Sequence, residues 1–187
     1  MAIKIHGTGL LEGVTSGLTT SSLPAGSILQ VQQSVKTDFW HRSELTYADI
    51  DGTDQNGEGT IWCVKITPSS SSSKIWVKGV VAVGGSGHGS VNLYRDSTEI
   101  HRGDAHATYG NVNRTTAQYL TGSHNCTNIA LDFLDSPNTT NEVTYKMQGG
   151  NPHSASYNIY INRSHTQENH AYVSHSASTL TVLEVKG

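Results

Sequence analysis

From Ser27 onward the apolar residues of this chain recur at every second position in short bursts, and residues that favour turns close each burst. Successive side chains of a strand point to opposite faces, so a period of two marks a half-buried β-strand. Leu29, Val31, Gln33 and Val35 alternate with polar partners, and Trp62, Val64 and Ile66 do so within Ile61–Thr67. Ile75–Val83, Ser90–Tyr94 and Asn128–Leu134 follow, then Val143/Tyr145/Met147, Tyr157/Ile159/Ile161 and Leu180/Val182/Glu184. These make about eight strands of ordinary length. Asp51-Gly52, Asn56-Gly57, Gly84-Gly85-Ser86-Gly87, Ser136-Pro137-Asn138 and Gly149-Gly150-Asn151-Pro152 supply turn chemistry between them. No window carries a helical period.

Composition agrees. Charged residues are only 14% of the chain, below the ~25% of an average domain, and Ser and Thr supply nearly a quarter. Helix formers are few, whereas strand and turn residues abound. The expected class is all-β: an antiparallel β-sandwich, jelly-roll-like, with a closed barrel as the alternative. No repeat of 20–50 residues argues for a solenoid or propeller. With 187 residues the chain fits one domain, large enough to bury roughly 70% of its extended surface without a metal or disulfide.

Residues 1–26 read as a separate leader and 27–187 as the sandwich. Glycines recur through the leader, yet Ile3, Ile5, Leu10, Leu11, Val14 and Leu18 are more apolar than an inert linker requires. An arm that orders against another chain is the expectation. Net charge is −3 and the 12 basic residues are scattered singly, which argues against tracking a nucleic-acid backbone. No apolar run approaches the ~20 residues of a membrane helix. Met1–Gly7 lacks the apolar core of a signal peptide, so synthesis in a cytoplasm is expected. Cys63 and Cys126 read as small buried hydrophobes rather than a disulfide.

Tests for chemistry come out bland. The ten histidines include no His-x-His pair, and His165, His170 and His175 recur every five residues, which alternates faces on a strand. Asp49, Asp51 and Asp54 resemble the start of a calcium loop without its closing glutamate. Gly85-Ser86-Gly87-His88 is a flexible turn rather than a nucleophile elbow. Glu99 with Asp104, or Asp132 with Asp135, are the carboxylate pairs a glycan hydrolase would use. Arg95-Asp96 and Asn162-Arg163 read as turn and inter-strand pairing. No phosphate loop or dinucleotide fingerprint occurs, and neither catalysis nor a cofactor is expected.

Six phrases in order carry a resemblance: Pro24–Val31; Ile66-Thr67-Pro68 with the serine run to Val77; Leu93–Ile100; Phe133–Pro137 to Tyr145-Lys146; Ile161–Ser164; and Ala177–Val185. Together, over roughly residues 24–186, they resemble a β-sandwich module of tail fibres and head appendages in tailed phages, marine ones notably. The resemblance implies a virion structural protein: a homotrimeric fibre tip, head appendage or decoration knob on the virion surface. It implies attachment to another virion protein through the leader, and a part in host attachment. It carries no catalytic residues. The absence of a coiled-coil or repetitive shaft favours a compact appendage. If a host glycan or protein is contacted, the long polar connectors are the candidates, with Tyr109, Asn111, Asn113 and Tyr157 as contact residues. The rival classes are a free carbohydrate-binding module or lectin, a capsid-stabilising decoration protein with no receptor role, and a glycan depolymerase.

Overall fold

Strands with one apolar face are stable only when that face is covered, and a second such sheet is the simplest cover. The computed structural model of the protein, which describes residues 4–5, 11–12, 19–52, 61–108, 113–120, 122–151, 153–154, 156–166, 171 and 173–187, has this architecture. In chain order the strands are β1 (Lys4–Ile5), β2 (Leu11–Glu12), β3 (Ile28–Lys36), β4 (Trp40–Arg42), β5 (Ala48–Asp49), β6 (Cys63–Ile66) and β7 (Lys74–Gly85). Then come β8 (Gly87–Arg95), β9 (Thr98–Ile100), β10 (Thr116–Leu120), β11 (Cys126–Asp135), β12 (Val143–Gly150), β13 (Ile159–Ile161) and β14 (Ser178–Val185). The one described helical element is a 3-10 turn at Thr20–Ser22. No helix among the described residues is long and apolar enough to cross a membrane.

β1 and β2 pair with each other. The remaining strands form two antiparallel sheets. In one, β3 and β4 lie beside β14 and β13, which both pair with β7, and β11 closes the other edge. In the second, β9 and β10 flank β8, β8 pairs with β12, and β12 carries β6 and β5 on its far side. Taking β3/β4, β5/β6, β9/β10 and β13/β14 each as one interrupted strand gives eight, in the orders 1-8-3-6 and 2-7-4-5. First pairs with eighth, second with seventh, third with sixth and fourth with fifth. That is jelly-roll connectivity, and the chain is a β-sandwich as its alternation implies.

The inward residues form one core. Ile75, Val77, Val81, Val83, Leu131, Ile161, Leu180 and Val182 come from the first sheet, and Val64, Ile66, Val91, Leu93, Tyr145 and Met147 from the second. β3 departs from the sequence reading. Val31 and Val35 are exposed, while Ser34 and Lys36 on the opposite face are buried. Alternation fixes that two faces differ, not which one is inside. Here the inner face serves a polar network: Lys36 Nζ binds Asp38 Oδ2 at 2.8 Å and the carbonyl of Asp51, and Gln30 donates to Glu184 at 2.7 Å.

Glu184 explains the serine run. Its carboxylate accepts the amide and hydroxyl of Ser69 at 2.7 and 2.6 Å, so the loop folds over a buried acid. Near the same end, the Lys186 ammonium binds the carbonyls of Ser21 and Leu23, and Gly26 N donates to Lys186 O, tying residues 19–26 to the last strand.

Asn162 closes a seam. β7 pairs with β14 up to Val80 and with β13 from Val83, which leaves Ala82 between the two. Asn162 N donates to Ala82 O and Ser178 Oγ accepts from Ala82 N. The Asn162 amide also donates to the carbonyls of Lys36 and Asp38, where β3 gives way to β4. Its φ of 67° is a conformation that asparagine tolerates. Asn162 therefore pairs strands as expected of Asn162-Arg163, but the Arg163 side chain does not. Among the described residues it forms no ion pair.

Candidate functional site

The link between β7 and β8 needs two glycines. Gly85 and Gly87 have φ of 145° and 76°, and a Cβ on Gly87 would lie 2.5 Å from ring atoms of Tyr157. Glycine thus lets the Tyr157 ring rest against the first turn of β8. His88, the next residue, faces outward and stands opposite Tyr119 of β10 in the ladder. From the β12–β13 connector comes His153, held by an Asn151 side chain that accepts from its amide at 3.3 Å. Tyr157 closes a turn on Ser154 O at 3.1 Å.

Four rings therefore stand in a row. Tyr119 meets His88 edge-on at 4.8 Å between centroids, His88 meets His153 edge-on at 4.7 Å, and His153 stacks on Tyr157 at 5.8 Å. Tyr119 is 57% exposed. A shallow cavity of about 160 Å³ adjoins it, with Gln118, Asn125 and Thr127 among its lining residues. An exposed row of rings beside amides and hydroxyls can stack on the C–H face of a sugar while bonding its hydroxyls.

Of the expected contact residues, Tyr157 belongs to this row. Asn113 does not: its oxygens accept from Arg102 at 2.8 and 3.2 Å, which holds the connector together. Tyr109 and Asn111 lie outside the described residues, as do the leader's Ile3, Leu10, Val14 and Leu18; Ile5 and Leu11 pair in the β1–β2 ladder. His88 and Tyr119 were missed because the sequence reads His88 as part of a flexible turn and gives no strand at Tyr119, whereas both sit on strands of the fold. Only the ladder register brings them together.

The other candidate chemistries are occupied by structure. Asp132 faces outward and binds Trp76 Nε1 and Lys78, while Asp135 faces inward and takes both Arg95 and Tyr145. Burial and the Asp135 carboxylate push the Tyr145 phenol far above the usual tyrosine range. Glu99 pairs with Arg102 at 3.0 Å, and Asp104 is exposed. Asp49 is held by Lys146 and Gln148, and Asp54 lies outside the described residues. Neither Cys63 nor Cys126 is in a disulfide.

Fold and site together define an antiparallel jelly-roll sandwich with an exposed ring row at one end. No protein-family model matches the chain, and no curated protein is significantly similar to it.

Proposed function

We propose that the chain is a virion structural protein of a tailed phage, a homotrimeric knob at a fibre tip, head appendage or capsid surface that contributes to host attachment. It acts by binding, without catalysis or a cofactor, and the leader anchors it to another virion protein. The observation that carries the attachment reading is the row Tyr119–His88–His153–Tyr157, which offers stacking faces to a surface glycan. The six phrases of the resemblance support the virion reading. Purified chain should compete with particles for adsorption to host cells, and the double variant Tyr119→Ala/Tyr157→Ala should lose that competition. Antibody against the chain should label particles. Unlabelled particles, or a double variant that competes as well as the parent, would overturn the proposal.

A free lectin is the second reading, favoured by one fact: the ring row is complete within a single chain. A monomer that binds glycan and is absent from particles would establish it.

A further inference from the structure

Five arginines occur in this chain, and four are satisfied. Arg42 binds Glu44 and Thr46, Arg95 binds Asp135, Arg102 binds Glu99 and Asn113, and Arg114 binds the Asn113 carbonyl. Arg163 differs. It is 9% exposed, its Nε has no hydrogen-bond partner, and it has no ion-pair partner among the described residues. Its guanidinium carbon lies 4.0 Å from the Tyr160 ring centre and 4.9 Å from that of Phe39. Stacking supports the flat faces of the fork but leaves the buried Nε–H unanswered, and a buried cation without a counter-charge is costly.

Aromatic and imidazole rings surround it. His41 stacks on Tyr160 at 5.8 Å, His165 lies 5.5 Å from the same ring, and Phe39 is 51% exposed. Tyr160 pairs with His41 and Gly84 across the first sheet, so this cluster lies on the other sheet from the ring row. The backbone at Arg163 is seated by Gly84: a Cβ there would collide with the Arg163 carbonyl oxygen. Nothing in the seam described above needs the Arg163 charge.

We propose that Arg163, framed by Phe39, His41, Tyr160 and His165, binds the carboxylate of an acidic sugar. A carboxylate is planar and meets a guanidinium fork in two parallel hydrogen bonds. The exposed Phe39 and His41 rings lie where the sugar ring would pack, and the imidazoles can donate to its hydroxyls. This assigns a ligand class, acidic saccharide, and rests on the reading that the chain contacts glycans. Its residues are separate from the ring row, so the two can fail independently.

The test is NMR titration of the full chain with oligoglucuronate, neutral oligoglucose and inorganic phosphate. Oligoglucuronate should bind at least about tenfold tighter than the neutral oligomer, with shifts centred on Tyr160 and His41. Arg163→Gln should abolish that preference, and Arg163→Lys, which keeps the charge but loses the fork, should weaken binding about tenfold. Tyr119→Ala/Tyr157→Ala should keep it, which separates this site from the ring row. Arg163→Gln should melt at or above the parent temperature, because the free protein loses an unpaired buried charge. A lower melting temperature would mean that a carboxylate of the chain itself fills the fork. A changed oligomeric mass in Arg163→Gln would mean a second copy fills it. Either result overturns the proposal, as does equal binding of both oligomers or binding of phosphate alone.

Discussion

Asn162 carries more of the structure than its size suggests, because one side chain replaces the ladder where two strands change partners. Asn162→Ala should cost about 3 kcal/mol, since two carbonyls lose their donor and the left-handed backbone loses a tolerant residue. Asn162→Gly keeps the backbone and should cost about 2 kcal/mol, so paired urea melts separate the two contributions. Gly84→Ala should cost about 3 kcal/mol, because the colliding atom is backbone and has nowhere to relax. Glu184 gives a pH signature. Burial alone would raise its carboxyl, but hydrogen bonds from Ser69 and Gln30 outweigh that and hold it below the usual range. A lowered folded value means that its contribution is complete above the ordinary glutamate value of about 4.3 and is lost as pH falls through the folded one. Denaturation curves should therefore weaken in acid, and Glu184→Gln should flatten that limb. An unchanged acid limb would show that Glu184 is not the group responsible.

The outer face of the first sheet belongs to no single strand. The ladders align Val31, Leu183, Trp76 and Leu134 in one row, Gln33, Thr181, Lys78 and Asp132 in the next, and Val35, Thr179, Val80 and Ala130 in a third. Two apolar rows thus flank a polar one in which Lys78 and Asp132 bind each other at 2.7 Å. Val31, Val35, Val80 and Leu134 are each between 41% and 54% exposed. A concentrated exposed apolar face is what an interface between copies looks like before assembly, and it supports the proposed trimer. Light scattering at micromolar concentration should give a trimer mass, and Val80→Glu with Leu134→Glu should give a folded monomer. Because both positions are on the surface, stability of the monomer should change by only about 0.5 kcal/mol each. A monomeric parent protein would remove the trimer.

For the whole molecule, the jelly roll is closed by its own core and by buried polar networks. Chelator and reductant should leave the melting temperature within about 5 °C of its untreated value, since neither cysteine is in a disulfide and no cluster of metal-ligating residues occurs among the described residues. A larger drop would reveal a site held elsewhere in the chain. Deleting residues 1–18 should leave the sandwich folded and its oligomeric mass unchanged, because Ser21, Leu23 and Gly26, which bind the last strand, remain. The truncated chain should be missing from particles if the leader is the anchor. Its incorporation at normal levels would place attachment on the sandwich.

Strand positions were legible in the sequence because alternation and turn residues are local: β7, β8, β11, β12 and β14 follow it closely. The short pieces β4, β5 and β9 were not, since two or three residues carry no period, and the five-residue β10 was read largely as polar connector. Alternation also could not tell that β3 turns its valines to solvent, because burial depends on the neighbour that covers a face and not on the strand itself. The same limit governs the site. Tyr157 was reachable as a ring in a polar connector, whereas His88 and Tyr119 required the ladder register, and the lack of an ion-pair partner for Arg163 among the described residues required their folded positions. Local sequence thus determined that the chain is all-β, built of strands with alternating faces. Which faces lie open and which rings meet were decided only by long-range pairing, a property of the folded chain.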